Sequence, residues 1–212
     1  MLRCEGMAKV TWKNRSSSGP GRPREFDTDR ALDAALKVFW SRGYEGASLS
    51  ELTTAMRINR PSLYAAFGDK AQLFRKVVDR YAQKQASVWE RLLDKESARS
   101  AVRNLLTVAA DSLTGSKNPR GCLLVQAALS CTKQSDCIKK ELAAKRADGG
   151  LLLRARLQRA QNEGEFSQNV DVAMLSRFYN TVLRGMSVEA SGGASRSDLQ
   201  NVIDLAMKAW PA

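Results

Sequence analysis

Between Ser48 and Lys70 the chain reads SLSELTTAMRINRPSLYAAFGDK, and the polar groups it sets outward are donors rather than catalysts. Arg60 carries a guanidinium fork, Ser62 and Tyr64 carry hydroxyls, and Lys70 carries an ammonium. These are groups that bond base edges and phosphate oxygens. Ser48 and Asn59 add short side chains of the kind that cap helices. The chain has no histidine, which removes Ser-His-Asp and Cys-His machinery. It shows no P-loop, no Gly-rich dinucleotide loop and no helix-borne carboxylate pattern for a metal. The expectation is a non-enzyme with no cofactor and no metal.

The elements that must position those donors are legible around them. Ser48 followed by Glu51 is a capping box, and Leu49 and Leu52 give the short helix behind it a buried face. Asn59 caps a second helix, Pro61 sits in its first turn where a missing N–H costs nothing, and Leu63 and Phe67 tie it to a core. Asp69 and Gln72 read as a second capping box opening a long helix, with Lys70 at its start. Two short helices around a tight turn make a helix-turn-helix. A B-form major groove admits one such helix while the preceding one braces on the backbone. Asn59, Arg60, Pro61, Ser62 and Tyr64 are then placed at or near the groove, with Arg60, Ser62 and Tyr64 making base-edge or close groove contacts and Ser48, Tyr64 and Lys70 anchoring phosphates. The same spacing also describes a plain helical hairpin.

Before this stretch lies a helix with Ala35, Phe39 and Gly43, followed by Ser48, then Ile58-Asn59, Leu63-Tyr64 and Phe67, then Lys70 and Leu73. On these residues, positions 27 to 74 resemble the DNA-binding domain of the tetracycline-repressor (TetR) family of bacterial one-component regulators. Arg120-Gly121-Cys122-Leu123-Leu124, Glu163-Gly164-Glu165 and the run from Leu183 to Trp210 resemble one widespread TetR subfamily. The resemblance thus covers nearly the whole chain after residue 20. It implies a homodimeric repressor released from a palindromic operator by a small-molecule effector. Two positions depart from the pattern. Arg57 stands where the family usually has Gly in the turn, and Ala71 where an acidic residue usually follows the lysine. A non-Gly residue at positive φ costs about 1 kcal/mol or more.

Composition fits a polyanion partner, with 212 residues and a formal charge of +12. Charge alone fits solubility or an anionic membrane surface as well. It also fits a basic nucleoid-type protein binding DNA with little sequence preference, which would rest on phosphate contacts and steep salt dependence. No apolar run is long enough to span a bilayer and no leader is visible, so a cytoplasmic protein with no membrane partner is expected. Residues 1–25 are basic and poor in apolar periodicity, and are expected to be a flexible arm when free. Within it Arg22 and Arg24 suit a narrow minor groove, or simply a solvated tail.

From Asp27 the pattern is helical throughout, with no alternating strand pattern, so the expected fold is all-α. Residues 26–70 form a three-helix helix-turn-helix domain, and residues 71–212 a helical ligand-binding and dimerisation domain. The long helix from Asp69 is followed by helices near 98–115, 120–130, 135–163, 171–190 and 196–210. In the last two, Leu175, Val182, Val202, Ile203, Ala206 and Trp210 are candidates for a four-helix dimer interface, or for an intrachain core. The resemblance implies a ligand pocket, for which Trp89, Leu93, Leu105, Leu124, Phe178, Tyr179 and Met186 are candidates, each equally at home in plain core. Cys122, Cys131 and Cys137 lie near Lys133, Lys139 and Lys140, which permits a thiol-based redox-responsive regulator. Their bland reading is small buried hydrophobes, and their spacing is not a zinc pattern.

Overall fold

The computed structural model describes residues 26–94, 97–130 and 135–211. Among these, the regular elements are α1 Thr28–Gly46, α2 Leu49–Met56, α3 Arg60–Phe67, α4 Lys70–Leu93, α5 Ala98–Thr114, α6 Leu123–Leu129, α7 Asp136–Asn162, α8 Val172–Ser191 and α9 Arg196–Lys208. Most start at a side chain that accepts an otherwise unpaired N–H. Asp27 Oδ1 accepts from the N–H of Asp29 at 3.0 Å. Ser195 and Asp198 form a reciprocal capping box at α9.

Two apolar clusters hold the chain together. The first joins α1 to α4 through Ala35, Phe39, Leu52, Leu63, Phe67 and Phe74, and takes in Leu123, Leu124 and Ala127 of α6 and Ile138 and Leu142 of α7. The second joins α5, the later part of α7, α8 and α9 through Leu105, Leu106, Leu157, Tyr179, Met186 and Ile203. Helix α4 serves both, placing Leu73, Val77 and Tyr81 in the first and Leu93 in the second. The reading head therefore shares its core with α6 and the start of α7. None of the helices is long and apolar enough to cross a membrane, among the described residues.

The motif residues of the body are mostly fasteners. Arg120 Nε donates to the carbonyl of Ala190 at 2.8 Å and its Nη2 donates to that of Ala194. Gly121 takes φ 84°, and a Cβ there would lie 2.9 Å from the Ser187 carbonyl oxygen. The Cys122 N–H donates to Ser187 Oγ at 2.9 Å. Arg-Gly-Cys thus ties the start of α6 to the last turns of α8. In Glu-Gly-Glu, the buried Arg156 meets Glu165 Oε1 at 2.9 Å. Oε2 of the same carboxylate accepts from the N–H of Ala98 at the start of α5.

Candidate nucleic-acid interface and adjoining cavity

The helix-turn-helix is built as its caps require. Ser48 Oγ accepts from the Glu51 N–H at 3.1 Å, and Glu51 Oε2 accepts from the Ser48 N–H at 3.0 Å. The Ser48 N–H and the Ser48 hydroxyl, both donating to Oε2, hold the Glu51 carboxyl below its ordinary range. Between the helices Arg57 takes the left-handed conformation at φ 56°, ψ 39°. The glycine geometry of this turn is therefore kept without glycine. Its carbonyl-seeking bonds are kept too, with the Arg57 N–H on Thr54 O at 3.2 Å and the Ile58 N–H on Thr53 O at 3.1 Å.

Helix α3 buries Leu63 and Phe67 and turns Arg60, Pro61 and Tyr64 to solvent, Tyr64 being 48% exposed. Ser62 is half-buried. Asn59 is committed as a cap, since its Oδ1 accepts from the Ser62 N–H at 2.8 Å. That bond sets the start of α3, and the residue itself stays exposed. Asp69 Oδ1 likewise caps α4 by accepting from the Gln72 N–H at 2.8 Å.

Lys70 is the residue whose placement differs most from a free phosphate anchor. Its Nζ donates to the carbonyl of Glu45 at 3.3 Å and lies 4.8 Å from the centre of the Tyr44 ring. Burial lowers its ammonium from the ordinary value, and Glu45 opposes that shift. The start of α4 is thereby pinned to the end of α1. Lys76 holds the end of α3 in a similar way, donating to the Ala66 carbonyl at 3.1 Å. Arg22 and Arg24 lie outside the described residues.

Behind the head is a cavity of about 890 Å³ lined by α1, α4, α5, α7 and α8 together with Cys122, Leu124 and Val125 at the start of α6. Trp89, Leu105 and Leu124 line it as expected from the sequence. The other four expected residues do not. Leu93 and Met186 are buried in the second cluster. Phe178 faces outward. Tyr179 is buried with its hydroxyl donating to the Ala206 carbonyl at 3.3 Å, and burial pushes its pKa up to about 12, Arg99 acting against the shift. For the three on α8 the reason is rotational, because that helix turns Phe178, Tyr179 and Met186 away from the cavity and lines it with Asn180, Leu183, Arg184 and Ser187. Trp40 and Tyr81, which the sequence reading missed, stand in the wall instead. Both belong to the first cluster, at the edge of the apolar faces by which α1 and α4 fill the head.

Cys122 is half-buried in this wall, with Tyr81 donating its hydroxyl to Cys122 Sγ at 3.3 Å. Burial and the thiol together raise the Tyr81 pKa. Cys137 is exposed, and Cys131 lies outside the described residues.

The interface candidates also divide. Ile203 and Ala206 are buried within the second cluster, and Leu175, Val182 and Trp210 pack half-buried against it. The Trp210 ring meets Phe166 edge-on with centroids 5.9 Å apart. Of the six, Val202 is exposed, and with it on α8 and α9 are Met174, Phe178, Val188 and Leu205. Periodicity marks an apolar face but not which partner it meets.

Known proteins share both the reading head and the body. The profile of bacterial regulatory proteins, tetR family, matches residues 31–77, and that of the tetracyclin repressor-like C-terminal domain matches residues 98–204. The HTH-type transcriptional repressor ComR of Escherichia coli is 35% identical over 193 residues, 90% of this chain and 92% of that one. BdcR, another HTH-type transcriptional repressor of Escherichia coli, is 31% identical and covers 87% of this chain and 89% of its own. Among solved structures, a cysteine mutant of the TetR family transcriptional regulator CifR, complexed with 26bp double-strand operator DNA, superposes with a TM-score of 0.86 at 44% identity. That match covers 90% of this chain and all of the other. With its capped helix-turn-helix, its helical body and these relatives, the chain belongs to the TetR family of transcriptional regulators.

Proposed function

We propose that this protein is a cytoplasmic, homodimeric repressor that reads a palindromic operator and leaves it when a small molecule occupies the cavity behind its head. The observation that carries this is the junction itself: α1 and α4 belong to the reading head and also line the cavity. A molecule that fits one head angle better than another biases DNA binding by its differential affinity for the two states. Arg60 and Tyr64 stand exposed on α3 for the major groove, with Ser62 beside them. Lys70 reaches phosphate by exchanging the Glu45 carbonyl for it. Arg22 and Arg24 are assigned to the adjacent minor groove. The head is taken as residues 26–70 and the ligand-binding and dimerisation body as 71–212, with α4 spanning the two.

Dimerisation is supported by the exposed apolar face of α8 and α9, where Leu205 is 64% and Met174 57% exposed. Two copies bring two recognition helices to half-sites about 34–36 Å apart. Competition tests the reading: protein bound to its preferred fragment is challenged with unlabelled random DNA at near-physiological salt. Retention against roughly a thousandfold excess is the outcome for a sequence reader. Loss at equal mass returns the protein to the nucleoid-type class.

A further inference from the structure

The cavity contains a donor that the protein itself leaves unmet. Trp40 of α1 is 7% exposed and lines the cavity. Its ring stands edge-on to Tyr81, centroids 5.1 Å apart. Its Nε1–H is buried and has no hydrogen-bond acceptor among the described residues. A buried indole N–H ordinarily finds a partner, because leaving one unmade forfeits the bond it had with water.

The neighbouring polar groups are engaged with one another. Tyr81 donates to Cys122 Sγ and accepts from Gln85 Nε2 at 2.9 Å. Lys84 meets Asp33 at 3.1 Å and Lys145 meets Asp79 at 2.7 Å. Lys37, Glu90, Asn118 and Asp148 also stand in the lining beside apolar walls that include Trp89 and Leu105, but among the described lining residues the Trp40 Nε1–H is the buried donor without a partner.

Resting on the effector reading above, we propose that the cavity takes a flat apolar molecule bearing a carbonyl-type oxygen, which accepts the Trp40 Nε1–H. Trp40 lies on the head's own first helix, three residues before the Gly43 kink. The ligand therefore grips the reading head directly, as well as the α5, α7 and α8 walls of the body.

The naphthyl ketone Prodan is a suitable probe, since its emission moves to longer wavelength when its carbonyl accepts a hydrogen bond. Titrated into the full chain, it is expected to bind saturably, one per protomer. Trp40→Phe keeps the apolar ring and removes the donor, so Kd is expected to rise about tenfold and the bound emission to shift to shorter wavelength. Val108→Trp, at a half-exposed position in the same wall, is expected to abolish binding by filling the space. Should Trp40→Phe fail to fold, the emission of probe bound to the unaltered chain decides: a position matching dry apolar solvent overturns the proposal. It is equally overturned by an unchanged Kd and emission in Trp40→Phe, by full binding to Val108→Trp, or by no saturable binding at all. DNA binding by the probe-free chain reports on the regulator reading independently, so the two failures are separable.

Discussion

Arg57 holds the left-handed turn of the helix-turn-helix at a residue type that meets a steric penalty there, and it is exposed beside the recognition helix. The strain is local to the turn between α2 and α3. Arg60 and Lys70 separate the two kinds of contact that such a head makes. Arg60→Ala is expected to weaken operator binding by about 1–3 kcal/mol and relax preference at particular base pairs. Lys70→Ala is expected to weaken operator and random DNA alike and to flatten the salt dependence by about one ion, measured by titration across salt. An unchanged slope removes Lys70 from the phosphate contacts and leaves it as the brace to Glu45. The pair Arg80–Asp33, at 3.0 Å, fastens α4 to α1 and holds the Asp33 carboxyl below its ordinary range, with Lys84 assisting. A depressed carboxyl stabilises the fold above its unfolded value of 3.8 and loses that contribution as pH falls through the folded value. Asp33→Asn is therefore expected to melt lower than the parent at neutral pH, with the gap closing in acid below that value. A gap independent of pH assigns the loss to packing.

At the scale of elements, the head is fixed to the body where α1 ends. Gly43 lies inside α1 at φ 70°, ψ 178°, and a Cβ there would come 2.3 Å from Ser130 Oγ at the end of α6. Both the backbone conformation and the close approach require glycine. Gly43→Ala is expected to destabilise the fold by about 2 kcal/mol or more, read by denaturant unfolding. A neutral result would mean that the ends of α1 and α6 part easily. The helices themselves were legible in the sequence because their signals are local. Ser48 with Glu51, Asn59 with Pro61, and Asp69 each announce a start within four residues. The helical backbone breaks at Gly43, where the apolar stripe of Leu32, Ala35, Leu36 and Phe39 ends, and a short helical turn follows to Gly46. The Ser130 side chain that leaves no room for a Cβ at Gly43 comes from the end of α6, which no local pattern contains.

At the scale of the whole molecule, legibility falls off for the same reason. Trp40 and Cys122 share a cavity although they lie on distant helices, and the apolar stripe of α8 gives no sign of which side meets Ala206 and which meets solvent. Hence Tyr179, Ile203 and Ala206 are core, while Phe178 and Leu205 are outside. Leu205→Glu is expected to convert dimers to monomers by sedimentation while leaving the helical signal unchanged, since Leu205 is exposed in the single chain. Persistent dimers would place the interface elsewhere. A monomer presents one recognition helix and loses the palindrome, so operator affinity is expected to fall with it. The most direct test of the account is selection of bound fragments from a random double-stranded DNA pool by the purified chain at near-physiological salt. An enriched palindrome with half-sites about one helical turn apart is the predicted result. Binding with no enriched sequence would contradict it.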